Sequence, residues 1–288
     1  MIFPFRNVLR IRNSSHTVLI HYHVFKNAGS SVDRLLRECL GSRWTTFEGA
    51  DATDVQSAGN LGDFLARRPA LLAVSSHLAR PPLPSPRCVP IVLLRHPIDR
   101  ARSVYQFVRR DSSQPHHDAA IGSFADFVTW VLDNPRAGVP IANYQVFHLS
   151  DASFRADNAC LASTPQDLAQ VQAMIASWPA FGIVREFAAS CRLFQVRYAP
   201  LCPDLRLRDV RENSSPDWAP SEAEALDAAR DELGEAVFAR LQNANALDLA
   251  LYAFARRRFG AMLEQAARET DHGPGTPWRR PTLADATA

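Results

Sequence analysis

The sequence predicts an α/β fold: a P-loop-like, three-layer arrangement with a central parallel sheet flanked by helices and a mainly helical C-terminal half. Three observations carry this. Apolar, β-branched runs alternate with amphipathic stretches through the first half. A glycine-containing loop joins the first run to the first helix. The 288 residues are 47% apolar and 22% charged, which suits one sizeable core.

The elements follow in order. Residues 17–25 (TVLIHYHVF) read as a buried strand. KNAGSS turns the chain, and Ser30 or Ser31 is the expected cap of a helix reaching Cys39, with Val32, Leu35, Leu36 and Cys39 on one stripe. Residues 60–68 suggest a short helix, and 70–76 a second strand ending at His77. A proline-rich loop follows, then a third strand over 89–94 ending at Arg95. Pro97 sits at or near the first turn of a helix expected to run to about Arg110. Helices are expected over 124–132, 141–149 and 164–178, then a strand over 181–186 running into a helix to Arg197. Residues 205–210 read as an edge strand, Asn213-Ser214-Ser215-Pro216 as a turn, and 221–243 and 246–267 as long helices. The expected organisation is an extension over 1–15, one domain over 16–269, and a Gly/Pro/Thr-rich tail over 270–288 expected to be disordered.

A formal net charge of +2 gives no global field for nucleic acid or an anionic membrane. No run approaches 18 apolar residues, so no membrane span is expected. Five cysteines without C-x-x-C spacing argue against a disulfide framework or zinc site, and a reducing cytoplasm is the expected compartment. Of the 32 basic residues, 31 are Arg and one is Lys, Lys26. A lysine kept alone marks a place where a planar guanidinium does not replace a compact ammonium.

Lys26 stands in His23-Val24-Phe25-Lys26-Asn27-Ala28-Gly29-Ser30-Ser31. Free N–H groups at the following helix start, a flexible Gly29, two hydroxyls and one ammonium all favour a phosphate-like anion. Walker A order is missing, because Lys26 precedes Gly29 by three residues. No Walker-B Asp ends a neighbouring strand, so metal–ATP is disfavoured. The second anion-capable segment is Ile91 to Phe107, IVLLRHPIDRARSVYQF. Arg95 ends a buried strand, and Ser103 lies eight residues on. Arg95 has an alternative partner in Asp99. Alternation puts His21 and His23 on one strand face, but the sequence offers no evident third ligand, and no metal is expected.

Strand, K-x-x-G-S-S, helix, followed by apolar strand and R-x-P-x-x-R-x-x-S-x-Y, resembles the sulfotransferases that use 3′-phosphoadenosine 5′-phosphosulfate (PAPS). The resemblance is closest to the carbohydrate type, the heparan 2-O-sulfotransferases and bacterial relatives. HVFKNAGSS resembles their 5′-phosphosulfate loop and LRHPIDRARSVYQF their 3′-phosphate motif. Weaker echoes are FGIVREFAASCRLF, RENSSP and DLALYAFARRRF. Asn27-Ala28 and His96 depart from the usual Thr or Gly and Asp.

The resemblance implies sulfuryl transfer to a hydroxyl acceptor by in-line displacement, with PAPS as co-substrate and a carbohydrate as the expected acceptor. Lys26 would meet charge on the leaving oxygen. Lys26, Asn27, Ala28, Gly29, Ser30 and Ser31 would form the 5′ loop, and Arg95 with Ser103 would hold the 3′-phosphate. Asn213 and Ser214 would close over the nucleotide. His77 is the candidate base, with Glu48 or Asp51 as substitutes. Acceptor contacts are expected from loops 42–60, 80–90 and 111–122. A P-loop nucleotide kinase or NTPase, and a non-catalytic nucleotide-binding relative, are the competing readings.

Overall fold

The computed structural model describes residues 16–155, 163–207 and 221–271. Its elements are β1 (Val18–Tyr22), α1 (Gly29–Leu40), β2 (Trp44–Thr46), α2 (Ala58–Ala66), β3 (Ala73–Ser76), β4 (Cys88–Ile91), β5 (Leu93–Leu94), α3 (Pro97–Arg110), α4 (Phe124–Asp133), α5 (Tyr144–Leu149), α6 (Ala152–Arg155), α7 (Pro165–Ser177), β6 (Gly182–Ile183), α8 (Phe187–Tyr198), α9 (Glu222–Ala244) and α10 (Ala246–Asp271). Helices flank a parallel four-stranded sheet of order β2-β3-β1-β4, and β5 pairs in parallel with β6. The α/β class with a helical C-terminal part therefore holds.

β1 is buried along its whole length, as expected for an inner parallel strand covered on both faces. Its register sets Tyr22 beside Ser76 and His21 beside Ile91, so the chain leaves β1 and β3 side by side. One continuous apolar run over 88–94 becomes two strands: β4 pairs with β1 and β5 with β6. The Val92 carbonyl between them accepts from the Gly182 N–H at 2.8 Å, which extends the second pairing back along the run.

Among the described residues, two large cores and a small cluster of Phe147 and Ala152 hold most of the buried apolar side chains. The larger packs Leu19, Ile20, Val74, Ile91, Leu36 and Phe194 around the sheet. The smaller joins Ile98, Val104 and Val108 of α3 to Phe127 of α4 and Leu233 and Phe238 of α9. The 3-4 spacing along α3 lays these residues on one stripe.

Several expectations need correction. Neither Ser30 nor Ser31 caps α1: the N-cap is Ala28, in the left-handed region at φ 59°, with no side-chain cap. Trp44–Thr46 adds an edge strand where a loop was expected, because its backbone pairs with Ala73–Ser75. The expected strand at 181–186 is two residues long and becomes a 3₁₀ turn at Val184–Glu186. Residues 205–207 are not a strand, and 208–210 lie outside the described residues. Of the helix expected over 141–149, only Tyr144–Leu149 forms. No described helix is long and apolar enough to cross a membrane.

Candidate functional site

Two adjacent strands of the four-stranded sheet, and β5 of the two-stranded one, each end in a loop of interest, and open α/β sheets bind ligands at the carboxyl ends of their strands. β1 leads to the Lys26 loop, β3 to His77, and β5 to Arg95. The loops are physically joined. Arg95 donates from Nη1 to the Lys26 carbonyl at 3.1 Å. The side chain of Gln145, fully buried on α5, spans both loops. Its Oε1 accepts from Asn27 Nδ2 at 2.8 Å and from the Arg95 backbone N–H at 2.9 Å. Its Nε2 donates to the Arg95 carbonyl at 2.9 Å. Asp248 of α10 in turn accepts from the backbone N–H groups of Gln145 and Val146 at 3.0 and 2.8 Å.

Lys26 and Ala28 both have left-handed backbones, at φ 62° and 59°. Left-handed residues alternating with residues of negative φ aim successive N–H groups inward, as in anion-binding nests. The Asn27 N–H bonds the Val24 carbonyl and the Ser31 N–H bonds that of Ala28, both at 3.1 Å. The N–H groups of Ala28, Gly29 and Ser30 donate to no backbone carbonyl among the described residues. The Asn27 side chain turns inward, donating to the Leu93 carbonyl at 2.8 Å as well as to Gln145, so it braces the loop. Its Oδ1 is buried without a partner among the described residues.

Gly29 is needed for a reason the sequence did not show. A Cβ there would stand 1.9 Å from His23 Cδ2, so the close approach it allows is that of the His23 ring.

The Lys26 ammonium lies 4.5 Å from the Phe107 ring centroid and 5.9 Å from that of Phe25. Desolvation lowers its pKa, with Arg95 and Arg110 adding to the effect. Asp99, Ser103, Phe107 and Arg110 share one face of α3 by their spacing. Phe107 thereby places Ser103 on the face turned toward the Lys26 loop. Arg95 forms the pair that its alternative reading expected, with Nε and Nη2 on the two Asp99 oxygens at 2.9 and 3.1 Å. His96 caps α3, its Nδ1 accepting from the Ile98 N–H at 3.3 Å. Beside this face lies a cavity of about 600 Å³, lined by Arg102, Arg109 and Arg110 and by Tyr105, Phe124 and Glu232. Arg102 is tied to Glu232 at 2.5 Å.

His77 continues the β3 register and stacks on His23 at a centroid distance of 3.8 Å. Its Nδ1 lies 2.9 Å from Glu48 Oε1, and the same carboxylate accepts the His77 backbone N–H with both oxygens at 3.1 Å. The two candidate bases are thus one unit, and the Glu48 contact fixes which ring nitrogen faces outward. Asp51 instead accepts from Thr53 in its own loop.

Beneath them is a cluster the sequence only half disclosed. His21 Nδ1 lies 2.8 Å from Asp33 Oδ1 and His23 Nδ1 lies 3.0 Å from Asp33 Oδ2. Asp33, on α1, is the third ligand-capable group that the sequence lacked. Hydrogen bonds from the two imidazoles hold its carboxyl far below the usual range, against the burial that would raise it. His148 of α5 is fully buried, and neither ring nitrogen has a partner among the described residues. Burial, with help from Arg80, His77, His23 and Arg100, lowers its pKa well below the ordinary value.

His116 and His117 bond the carbonyls of Ala137 and Val108 at 3.0 and 2.9 Å. Arg256 and Arg258 sit within α10 and bond Glu186 and the Ala176 carbonyl. Asn213 and Ser214 lie outside the described residues.

No protein-family model matches the chain. The chain is similar to an uncharacterised protein of Archaeoglobus fulgidus, 28% identical over 249 residues, which cover 83% of this chain and 95% of that protein.

Proposed function

We propose that the chain transfers a sulfuryl group from PAPS to a hydroxyl acceptor, with a carbohydrate as the expected acceptor class. The supporting observation is the convergence of the two anion-capable loops, closed by the contact of Arg95 with the Lys26 carbonyl at 3.1 Å. The residues fit such a donor: a loop nest with unclaimed N–H groups and one partly desolvated ammonium, beside a histidine oriented by a carboxylate.

With Nδ1–H donated to Glu48, the His77 Nε2 lone pair takes the proton of the acceptor hydroxyl. The acceptor oxygen bonds to sulfur as the bond from sulfur to the bridging oxygen breaks. Charge appearing on that leaving oxygen meets the Lys26 ammonium, whose burial strengthens the interaction. Ala28, Gly29 and Ser30 hold the 5′-phosphate through their N–H groups. Arg95 and Ser103 read the 3′-phosphate, in competition with Asp99 for the Arg95 fork.

The test is transfer of radiolabelled sulfate from PAPS to a panel of hydroxyl acceptors. Lys26→Ala is expected to lower kcat by about 10²–10³ with little change in PAPS affinity. His77→Ala should lower transfer by about 10²–10⁴ while keeping affinity for 3′-phosphoadenosine 5′-phosphate (PAP). Full turnover in either variant removes that residue from the mechanism.

A further inference from the structure

We propose that His21, His23 and Asp33 form a buried binding site for a divalent transition-metal ion of the zinc class, which pins β1 to α1 beneath the site edge. Residue 21 lies in β1 and residue 23 one past its end, where its N–H still bonds the Ser76 carbonyl at 2.8 Å, and the two rings stack with centroids 5.1 Å apart. Their Nδ1 atoms converge on one carboxylate, and the three ligand atoms lie within 4.8 Å of one another. Neighbouring ligand atoms of a tetrahedral zinc, with bonds of about 2.0–2.1 Å, stand roughly 3.3 Å apart. The contacts of 2.8 and 3.0 Å fall just inside that spacing and the 4.8 Å limit outside it, so small shifts admit the ion.

The ligand set matches the metal: two imidazole nitrogens and a carboxylate suit zinc and its neighbours better than magnesium or calcium. Ser75 Oγ, 3.1 Å from His21 Nδ1 and receiving the Trp44 indole N–H at 3.0 Å, offers a fourth oxygen. Charge points the same way. The Asp33 side chain is 13% exposed, and among the described residues its ionic partners are the two histidines, 2% and 8% exposed, with no Lys or Arg. A carboxylate compensated by two imidazole hydrogen bonds, with no fixed cation among its described partners, is one that an incoming ion can take over together with both rings. On binding, each ring would carry its proton on Nε2 and present the Nδ1 lone pair to the ion. A site this enclosed is structural in character. It does not depend on the proposed sulfuryl transfer.

The test uses the full chain, stripped with chelator and titrated with Zn²⁺ and Co²⁺. One ion per chain is expected, with a rise in Tm. Asp33→Asn and His23→Gln should weaken binding by at least about tenfold to a hundredfold, as loss of a ligand or its support does. The exposed-loop variant His116→Gln should bind as the parent does. Zinc-edge X-ray absorption of the unaltered protein should show imidazole nitrogen and oxygen without sulfur, a reading that needs no folded variant. No stoichiometric binding, sulfur in the coordination shell, or equal affinity in Asp33→Asn each overturns the site.

Discussion

Gly29 and His23 show what a single residue position demands. The 1.9 Å approach of the ring to a hypothetical Cβ means Gly29→Ala must displace His23, at about 1–3 kcal/mol for overpacking. In the double variant with His23→Ala the clash is gone, so urea denaturation should show strongly non-additive costs. Additive costs would mean the ring is not what excludes a side chain there. Asp99 carries a second residue-scale prediction. It occupies the Arg95 fork through two bonds, so Asp99→Asn should tighten PAP severalfold, read by calorimetry. Weaker or unchanged binding would detach Arg95 from the 3′-phosphate. Lys26 was legible as the sole lysine, and Arg95 from its place at a strand end. Asp33 and Gln145 were not. A carboxylate on an amphipathic helix reads as a solvated charge, and the Gln145 partners lie as far as 118 residues away in sequence.

At the scale of elements, α5 is the clamp that keeps the two loops together. It is six residues long, too short to persist by its own propensity, and is held by Asp248 accepting its N–H groups. Gln145→Ala leaves the Asn27 amide and both Arg95 backbone groups without that partner. A loss of about 2–4 kcal/mol is expected, read as a lower urea midpoint at unchanged m-value. A loss under about 0.5 kcal/mol would show that water replaces the clamp at no cost. The Pro97–Arg110 helix was readable to within about a turn, because Pro97 suits a first turn and the apolar stripe continues to Val108. The division of 88–94 into β4 and β5 was not, since both halves are equally apolar and only the change of neighbour separates them. β2 was hidden for a related reason: three half-exposed residues become a strand only by pairing with β3.

For the whole molecule, the parallel α/β class was legible from alternation alone, whereas strand order depends on crossovers that no local pattern encodes. Its global stability should carry the mark of His148. Burial, and the nearby Arg80, His77, His23 and Arg100, keep this ring neutral in the folded protein. The unfolded chain takes up a proton below the ordinary value of 6.5 that the folded one refuses. Stability is therefore unaffected by this group above pH 6.5 and falls on acidification, by up to about 1.4 kcal/mol per pH unit. His148→Phe removes the titrating group and the two unpartnered nitrogens, so its stability should fall less steeply with acid. An identical slope would mean the ring is protonated or hydrated in the fold.

The contact between the Lys26 and Arg95 loops is the feature on which the proposed activity rests. Parallel calorimetric titrations with PAP, AMP and Mg²⁺–ATP test it most directly. PAP is expected to bind without metal and at least about tenfold more tightly than AMP, the worth of one charge-assisted contact to the 3′-phosphate. Binding of Mg²⁺–ATP with no binding of PAP would contradict the sulfotransferase reading and favour a P-loop kinase or NTPase.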